Sequence, residues 1–230
     1  MTDDLRLDLH AILVAGGSGS RMGSTVPKQF LELVGKPILL HTVEKFLAYS
    51  PEIRLILVLP EADVERWENL SSQLSHSPRH SITLVRGGAT RFQSVRNGLN
   101  AVEGDGLVAV HDAVRPLVSV EVIRRTFEAA AKFGIGVAAV AAKDSVRQVH
   151  SNGQNTALDR AALRLIQTPQ TFQISLLKKA FAQPESPLFT DDASVVEAAG
   201  FAVHLVEGSY ENLKITTPED LVVAEALLRQ

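Results

Sequence analysis

Cysteine is absent from the 230 residues, so there can be no disulfide, no thiolate nucleophile and no zinc site built on sulfur, and stability must come from packing. Long apolar runs are missing too, none approaching the roughly 20 residues that cross a bilayer. The opening Met1-Thr-Asp-Asp-Leu-Arg has neither a basic n-region nor an unbroken apolar h-region, which predicts a cytoplasmic protein with no membrane partner. A surplus of positive charge is also lacking. Lys and Arg number 23 against 26 Asp and Glu, a net charge of −3, and this speaks against nucleic acid as a partner. Small anionic substrates stay open, because a few local cations can bind phosphate within an acidic protein. No internal repeat, low-complexity tract or flexible linker breaks the chain. With 45% hydrophobic residues, a single domain over 1–230 is expected, with no length left for a second catalytic domain.

What is present is alternation. Apolar runs of strand length occur at 9–15, 55–59, 82–85, 107–110, 135–141 and 203–206, and helix-like segments at 38–49, 64–74, 90–102, 120–133, 174–181, 192–199 and 218–228 lie among them. The pattern predicts an α/β fold, a Rossmann-like doubly wound and mostly parallel sheet. Ligands of such sheets bind beyond the carboxyl ends of the strands, so the residues that follow each strand should carry the chemistry. One stretch breaks the rhythm. Around the turn Ser151-Asn-Gly, short β-like pieces predict a hairpin arm at about 142–160, projecting from the body. Composition alone weighs a dimerising arm and a plain surface excursion equally.

The first strand runs into Ala15-Gly-Gly-Ser-Gly-Ser-Arg-Met-Gly, where glycines let backbone amides approach a polyphosphate. It lacks the Gly-Lys-Ser/Thr ending of a Walker loop and the spacing of the dinucleotide fingerprint, which leaves an oxidoreductase little support. Glycines alone are common connectors, but Arg21 and Lys28 add two cations. After the third strand, Gly87-Gly88 opens a helix that carries Ser94, able to reach a base or sugar, or simply turning toward solvent. The fourth strand ends in His111-Asp-Ala-Val-Arg-Pro. Asp112 suits Mg²⁺, a hard ion that takes carboxylate and phosphate oxygens, while an ion pair of Asp112 with Arg115 is the commoner outcome for such neighbours. His111, with no second histidine at ligand spacing, reads as structural. Thr190 or Asp191 should cap one helix and Thr217-Pro-Glu-Asp another; Arg160, Thr168 and Lys214 have no such role.

The ordered set Ala15-Gly-Gly-x-Gly-x-Arg-Met-Gly, Pro27-Lys-Gln, Gly87-Gly, His111-Asp-Ala-x-Arg-Pro, Thr168-Pro-Gln, Thr190-Asp-Asp-Ala-Ser and Asn212-x-Lys-x-Thr resembles the 2-C-methyl-D-erythritol 4-phosphate cytidylyltransferases over nearly the whole chain. The resemblance implies Mg²⁺-dependent transfer of a cytidylyl group from CTP to a phosphorylated polyol, and a homodimer interlocked through the arm. It implies that Ala15, Gly16, Gly17, Ser18, Gly19, Gly88 and Ser94 recognise CTP. Arg21, Lys28 and Lys214 would serve the reacting phosphates and Asp112 the metal, with Asp112, Arg115, Ser145, Arg160 and Thr168 around the acceptor. Ser145 and Arg160 would come from the partner's arm. Val114, Ser145 and Ala89 stand where the family commonly has Ala, Thr and, in some members, Asp; Ser145 keeps a hydroxyl, whereas Ala89 removes a side-chain contact near the nucleotide. The rival readings are a cytidylyltransferase for another polyol phosphate such as ribitol 5-phosphate, and a non-catalytic nucleotide-binding module.

Overall fold

Residues 55–59 and 107–110 are apolar without interruption, so neither face of these strands can meet water, and such strands belong in the middle of a sheet covered on both sides. The computed structural model of the chain describes residues 7–16, 26–71 and 82–229. At the centre of its main sheet β1 (Asp8–Val14) lies between β4 (Arg54–Leu59) and β6 (Gly106–Asp112), parallel to both. Beyond β4, β5 (Ile82–Arg86) continues the parallel pairing to one edge. On the other side β10 (Arg164–Gln173) runs antiparallel between β6 and β7 (Ile135–Ala141), and β11 (Leu205–Glu207) pairs in parallel with β7. Among the described residues the sheet therefore has seven strands in the order β11-β7-β10-β6-β1-β4-β5, one of them reversed.

The two-residue period of each strand sorts its side chains between two cores. Ala11, Leu13, Leu55, Leu57, Leu107 and Ala109 face α1 (Ile38–Tyr49), α2 (Val64–Ser71) and α4 (Val120–Phe133), where Val43, Phe46, Trp67 and Phe127 cover them. Ile12, Ile56, Val58, Val108, Val110 and Phe172 face α3 (Arg91–Asn100), α5 (Ile174–Phe181) and α6 (Asp192–Ala198). A third, small cluster packs α7 (Pro218–Leu228) on Leu33 and Val114, near the short hairpin of β2 (Glu32–Leu33) and β3 (Lys36–Pro37). The helix ends follow their local chemistry. Ser119 caps α4 and Gly134 ends it at φ 83°, Asp191 forms a capping box with Ser194, and Thr217 forms one with Asp220 after which Pro218 opens α7. Among the described residues no helix is long and apolar enough to cross a membrane.

The expected hairpin is β8 (Val146–Val149) paired with β9 (Asn155–Leu158), a two-stranded sheet separate from the main one. The expected elements recur with ends shifted by a few residues, except that 72–74 of the second helix lie outside the described residues. β10 is the one strand of the main sheet that the sequence does not predict. It reads Arg-Leu-Ile-Gln-Thr-Pro-Gln-Thr-Phe-Gln, mostly polar where it is most buried, and carries Pro169, which has no N–H for the ladder. A register shift between Ile166 and Gln170 absorbs the proline, and partners for Gln167, Thr168, Gln170 and Thr171 take the place of apolar packing.

Gly136 of β7 shows how closely α4 lies on the sheet. A Cβ there would sit 2.3 Å from the Thr126 carbonyl oxygen and 2.8 Å from Ala129 Cβ. Gly136→Ala is expected to lower the unfolding free energy by about 1–3 kcal/mol, read from a urea midpoint. An unchanged midpoint would contradict this close approach.

Candidate active site

Because β1, β4, β5 and β6 are parallel, the segments that leave their carboxyl ends converge. Val14 lies in register with Val58 and Asp112, and the chain that follows β1, β5 and β6 opens onto a pocket of about 240 Å³. Ala15 and Gly16 form one wall, Gly88 to Arg91 with Ser94 a second, and Lys28, Gln29, Asp112, Val114 and Lys214 the rest.

The second wall is a turn held by its own helix. Gly88 N donates to Ser94 Oγ at 3.0 Å, Ser94 Oγ donates to the Thr90 carbonyl at 2.9 Å, and Ala89 N donates to Gln93 Oε1 at 3.1 Å. Gly88 cannot take a side chain, since a Cβ would meet that of Gln93 at 2.3 Å. The hydroxyl of the buried Ser94 is thus engaged in the turn, a shaping role where sequence alone leaves base contact or solvent. On the opposite side Gln29, almost fully buried, donates to the Ala15 carbonyl at 2.9 Å and to Asp63 Oδ2 at 3.0 Å. It ties the segment bearing Lys28 to the exit of β1.

Asp112, 7% exposed, is the only carboxylate among the described residues of the pocket lining, and three cations surround it. Lys214 Nζ lies 2.9 Å from Oδ2, Arg115 Nε 3.5 Å from Oδ2 and Arg91 Nε 3.5 Å from Oδ1. Burial alone would raise the pKa of this carboxyl, but Arg91, Lys214 and Arg115 together hold it well below the usual carboxylate range. The expected Asp112 to Arg115 pair exists, within a larger cluster. Arg115 does not line the pocket; its Nη1 donates to the Asn212 carbonyl at 2.7 Å, so the guanidinium braces the loop that carries Lys214.

Beneath Asp112 lies a neutral relay. The Asp112 amide donates to Thr168 Oγ1 at 3.1 Å, Thr168 Oγ1 lies 3.0 Å from His111 Nδ1, and His111 Nε2 lies 3.3 Å from the Arg115 carbonyl. A carbonyl only accepts, so Nε2 carries the proton and Nδ1 accepts from the threonine hydroxyl. Burial pushes the His111 pKa down to about 3, with Asp112 opposing, and the ring stays neutral as its structural reading requires. Asn212 completes the layer by donating to the Thr168 carbonyl at 2.8 Å. Thr168 therefore stands behind Asp112, itself only 4% exposed.

Of the other expected residues, Gly17, Ser18, Gly19 and Arg21 lie outside the described residues. Ser145 and Arg160 are exposed on and beside the arm, where Arg160 Nη1 donates to the Lys143 carbonyl at 2.7 Å, and neither lines the pocket. Ala15, Gly16, Lys28, Gly88, Ser94, Asp112 and Lys214 are brought together.

The family model described as IspD, 2-C-methyl-D-erythritol 4-phosphate cytidylyltransferase, matches residues 9–230. The chain belongs to this family. Among curated relatives, the 2-C-methyl-D-erythritol 4-phosphate cytidylyltransferase of Bacteroides thetaiotaomicron is 49% identical over 94% of this chain and 98% of its own. That of Phocaeicola vulgatus is 47% identical over 96% of this chain and 100% of its own. Among solved structures, the 4-diphosphocytidyl-2C-methyl-D-erythritol synthase of Anaerococcus prevotii superposes with a TM-score of 0.83 at 30% identity, covering 97% of this chain and 99% of that one. The 2-C-methyl-D-erythritol 4-phosphate cytidylyltransferase of Thermus thermophilus gives a TM-score of 0.77 at 32% identity, covering 97% and 100%.

Within this IspD fold, sequence reasoning passed over Arg91, Asp192 and Gln29. Gln29 and Asp192 fall within the motifs Pro27-Lys-Gln and Thr190-Asp-Asp-Ala-Ser, but a helix cap suffices to explain the second. Arg91 begins α3 and its partner Asp192 begins α6, so their encounter is purely tertiary.

The neutral His111 sets a pH dependence. An unfolded histidine binds a proton near pH 6.5 and the folded one only near 3, so stability falls as pH falls between these values, by up to about 1.4 kcal/mol per unit. His10 and His41, also lowered by burial, act in the same direction, whereas the depressed Asp112 carboxyl is lost only at lower pH. His111→Gln should therefore show a shallower loss of stability between pH 6.5 and 4.5 than the parent chain in urea titrations. Parallel slopes would mean that His111 is protonated in the folded state.

Proposed function

We propose that the chain transfers the cytidylyl group of CTP to 2-C-methyl-D-erythritol 4-phosphate, releasing pyrophosphate and forming CDP-methylerythritol for isoprenoid synthesis. The observation that carries the proposal is that Lys28, Lys214, Asp112 and the Gly88 turn, from four separate stretches of a family member, line one pocket at the carboxyl edge of the sheet. The proposal takes the chain as one nucleotidyltransferase domain with a dimerising arm at about 142–160, working in the cytoplasm as a homodimer.

The reaction needs no general base. A phosphate oxygen of the acceptor, already anionic, forms a bond to the α-phosphorus of CTP as the α–β bridging bond breaks, and the electron pair leaves with pyrophosphate. The protein's work is to bring two polyanions together and to neutralise charge that grows on the leaving group. Lys28 and Arg21 are assigned to the departing phosphates and Lys214 to the α-phosphate. Ala15, Gly16 and the Gly88 turn shape the nucleoside end, with Gly17, Ser18 and Gly19 continuing the first of these walls. Asp112, Arg115, Thr168 and the partner's Ser145 and Arg160 are assigned to the acceptor, with Arg115 and Thr168 acting through the loop and relay they hold.

Mg²⁺ fits this donor set. Asp112 is a hard-oxygen ligand kept ionised, and Mg²⁺ is commonly held by one or two carboxylates together with substrate phosphates. Among the described residues no group of three or more His, Asp or Glu is placed to hold a metal, so Asp112 is the residue assigned to it. When bound, the ion would neutralise phosphate charge.

Lys28→Ala and Lys214→Ala are each expected to lower kcat by about 10²–10³ with folding retained, in an assay that detects pyrophosphate from CTP, Mg²⁺ and methylerythritol phosphate. Near-normal rates in either variant would remove it from the mechanism. Ribitol 5-phosphate offered in parallel decides the acceptor, and no pyrophosphate with either alcohol would favour a binding module. The arm has its own test. Arg160→Ala and Lys214→Ala chains, each slow alone, should regain activity on mixing, since a mixed dimer holds one site with both residues intact. Absence of complementation would place Arg160 outside the partner's site.

A further inference from the structure

Arg91 lines the pocket, yet most of its hydrogen bonding is directed away from it. Nη1 and Nη2 donate to Asp192 Oδ1 and Oδ2 at 2.9 and 2.7 Å, while Nε faces Asp112 Oδ1 at 3.5 Å. The Asp192 side chain is wholly buried. It is also firmly placed: Asp192 opens α6, where Gln170 of β10 donates to Asp191 Oδ2 at 2.8 Å and accepts from Ala193 N at 2.8 Å. One guanidinium thus stands between a carboxylate that lines the pocket and one that does not.

We propose that Arg91 and Asp192 form a positioning pair, in which Asp192 occupies the two-pronged edge of Arg91 so that the guanidinium lends its charge to Asp112 without closing on it. Parallel double hydrogen bonding to a carboxylate is the strongest arrangement open to arginine. Without a competing carboxylate, Arg91 would turn this edge on Asp112, whose Oδ2 already holds Lys214. Both oxygens would then be engaged when nucleotide and acceptor arrive. Asp192 prevents this while Nε keeps Asp112 in a positive field. Burial works against the charge on Arg91, but the attraction of Asp192 and its hydrogen bonds hold the guanidinium firmly protonated. The inference rests on the proposed cytidylyl transfer for the meaning of "open", though the competition between the two carboxylates does not.

The test compares three proteins: the parent chain, Asp192→Asn, and the double variant Arg91→Met/Asp192→Asn. Each is checked for folding by circular dichroism, for kcat and KM with CTP, Mg²⁺ and methylerythritol phosphate, and for CTP affinity by calorimetry in MgCl₂. Asp192→Asn releases Arg91 and is expected to lose about 10–100-fold in kcat/KM. The double variant, in which a neutral pair replaces the buried ions, should stand above the single variant in both turnover and CTP affinity. A merely structural pair would shift the unfolding midpoint and leave kcat per folded molecule alike in all three, which would overturn the proposal. So would a folded double variant as slow as the single one or slower. Should Asp192→Asn not fold, the double variant decides: turnover within about tenfold of the parent supports the pair, and any larger loss overturns it by showing that Arg91 itself is needed by the reactants. If the parent releases no pyrophosphate from CTP and methylerythritol phosphate, the functional reading fails, while the order of CTP affinities still tests the pair.

Discussion

The site depends on a buried carboxylate that three cations keep ionised. Moving an anion such as Asp112 out of water costs several kcal/mol, and only close opposite charge offsets it. Arg91, Arg115 and Lys214 supply that charge from three directions, each on a different stretch of chain. The dependence runs both ways. Three cations gathered at one edge of a sheet repel one another unless an anion sits among them, so Asp112 is what allows the positive field to exist before any substrate enters. With Asp192 also counted, and Lys28 added, the cluster keeps more positive than negative charges, which suits a pocket for polyanions.

A carboxylate so placed must also be held still, and this task falls to groups that carry no charge. His111 stays neutral because it is fully enclosed, and it can then accept from Thr168, whose oxygen in turn accepts from the Asp112 amide. Asn212 fixes Thr168 from the other side, and Arg115 ties the Asn212 carbonyl back to the loop after β6. The reversed strand β10 is what makes this possible. Its polar centre, costly inside a sheet if left unpaired, contributes the threonine and the two glutamines that join β6, α6 and the Lys214 segment. Replacing these residues with apolar ones would give a more ordinary strand and remove the scaffold of the site.

This division explains what could be read from the sequence. The parallel strands announce themselves as apolar runs, and the rule that ligands gather past their carboxyl ends leads directly to Lys28, Gly88 and Asp112. β10 does not announce itself, because its burial is satisfied by hydrogen bonds rather than hydrophobicity and because Pro169 argues against a central strand. Arg91 and Asp192 are hidden for another reason: Asp192 has a sufficient local explanation as an acid in the first turn of α6, Arg91 belongs to no motif, and their pairing links positions 101 residues apart. For Ser94 the sequence leaves base contact or solvent, and in the structure its hydroxyl bonds within its own turn while it lines the pocket, since a hydroxyl at the first turns of a helix serves that turn as readily as a ligand.

The two ends of the site are built unequally. Ala15, Gly16, the Gly88 turn and Lys28, which the proposal gives to the nucleotide, line one pocket of a single chain, and the turn is held by bonds made over a few residues. The residues proposed for the acceptor are not so gathered. Ser145 and Arg160 flank a hairpin whose strands, among the described residues, pair only with each other and whose apolar Val149 is 73% exposed, and neither residue lines the pocket of its own chain. Under the proposed reading this inequality has a chemical sense. The nucleotide's cradle is local to one chain, whereas recognition of the acceptor is left to an element that a second subunit must deliver. Selectivity for the alcohol would then be coupled to assembly, and an isolated chain would bind nucleotide better than it discriminates acceptors.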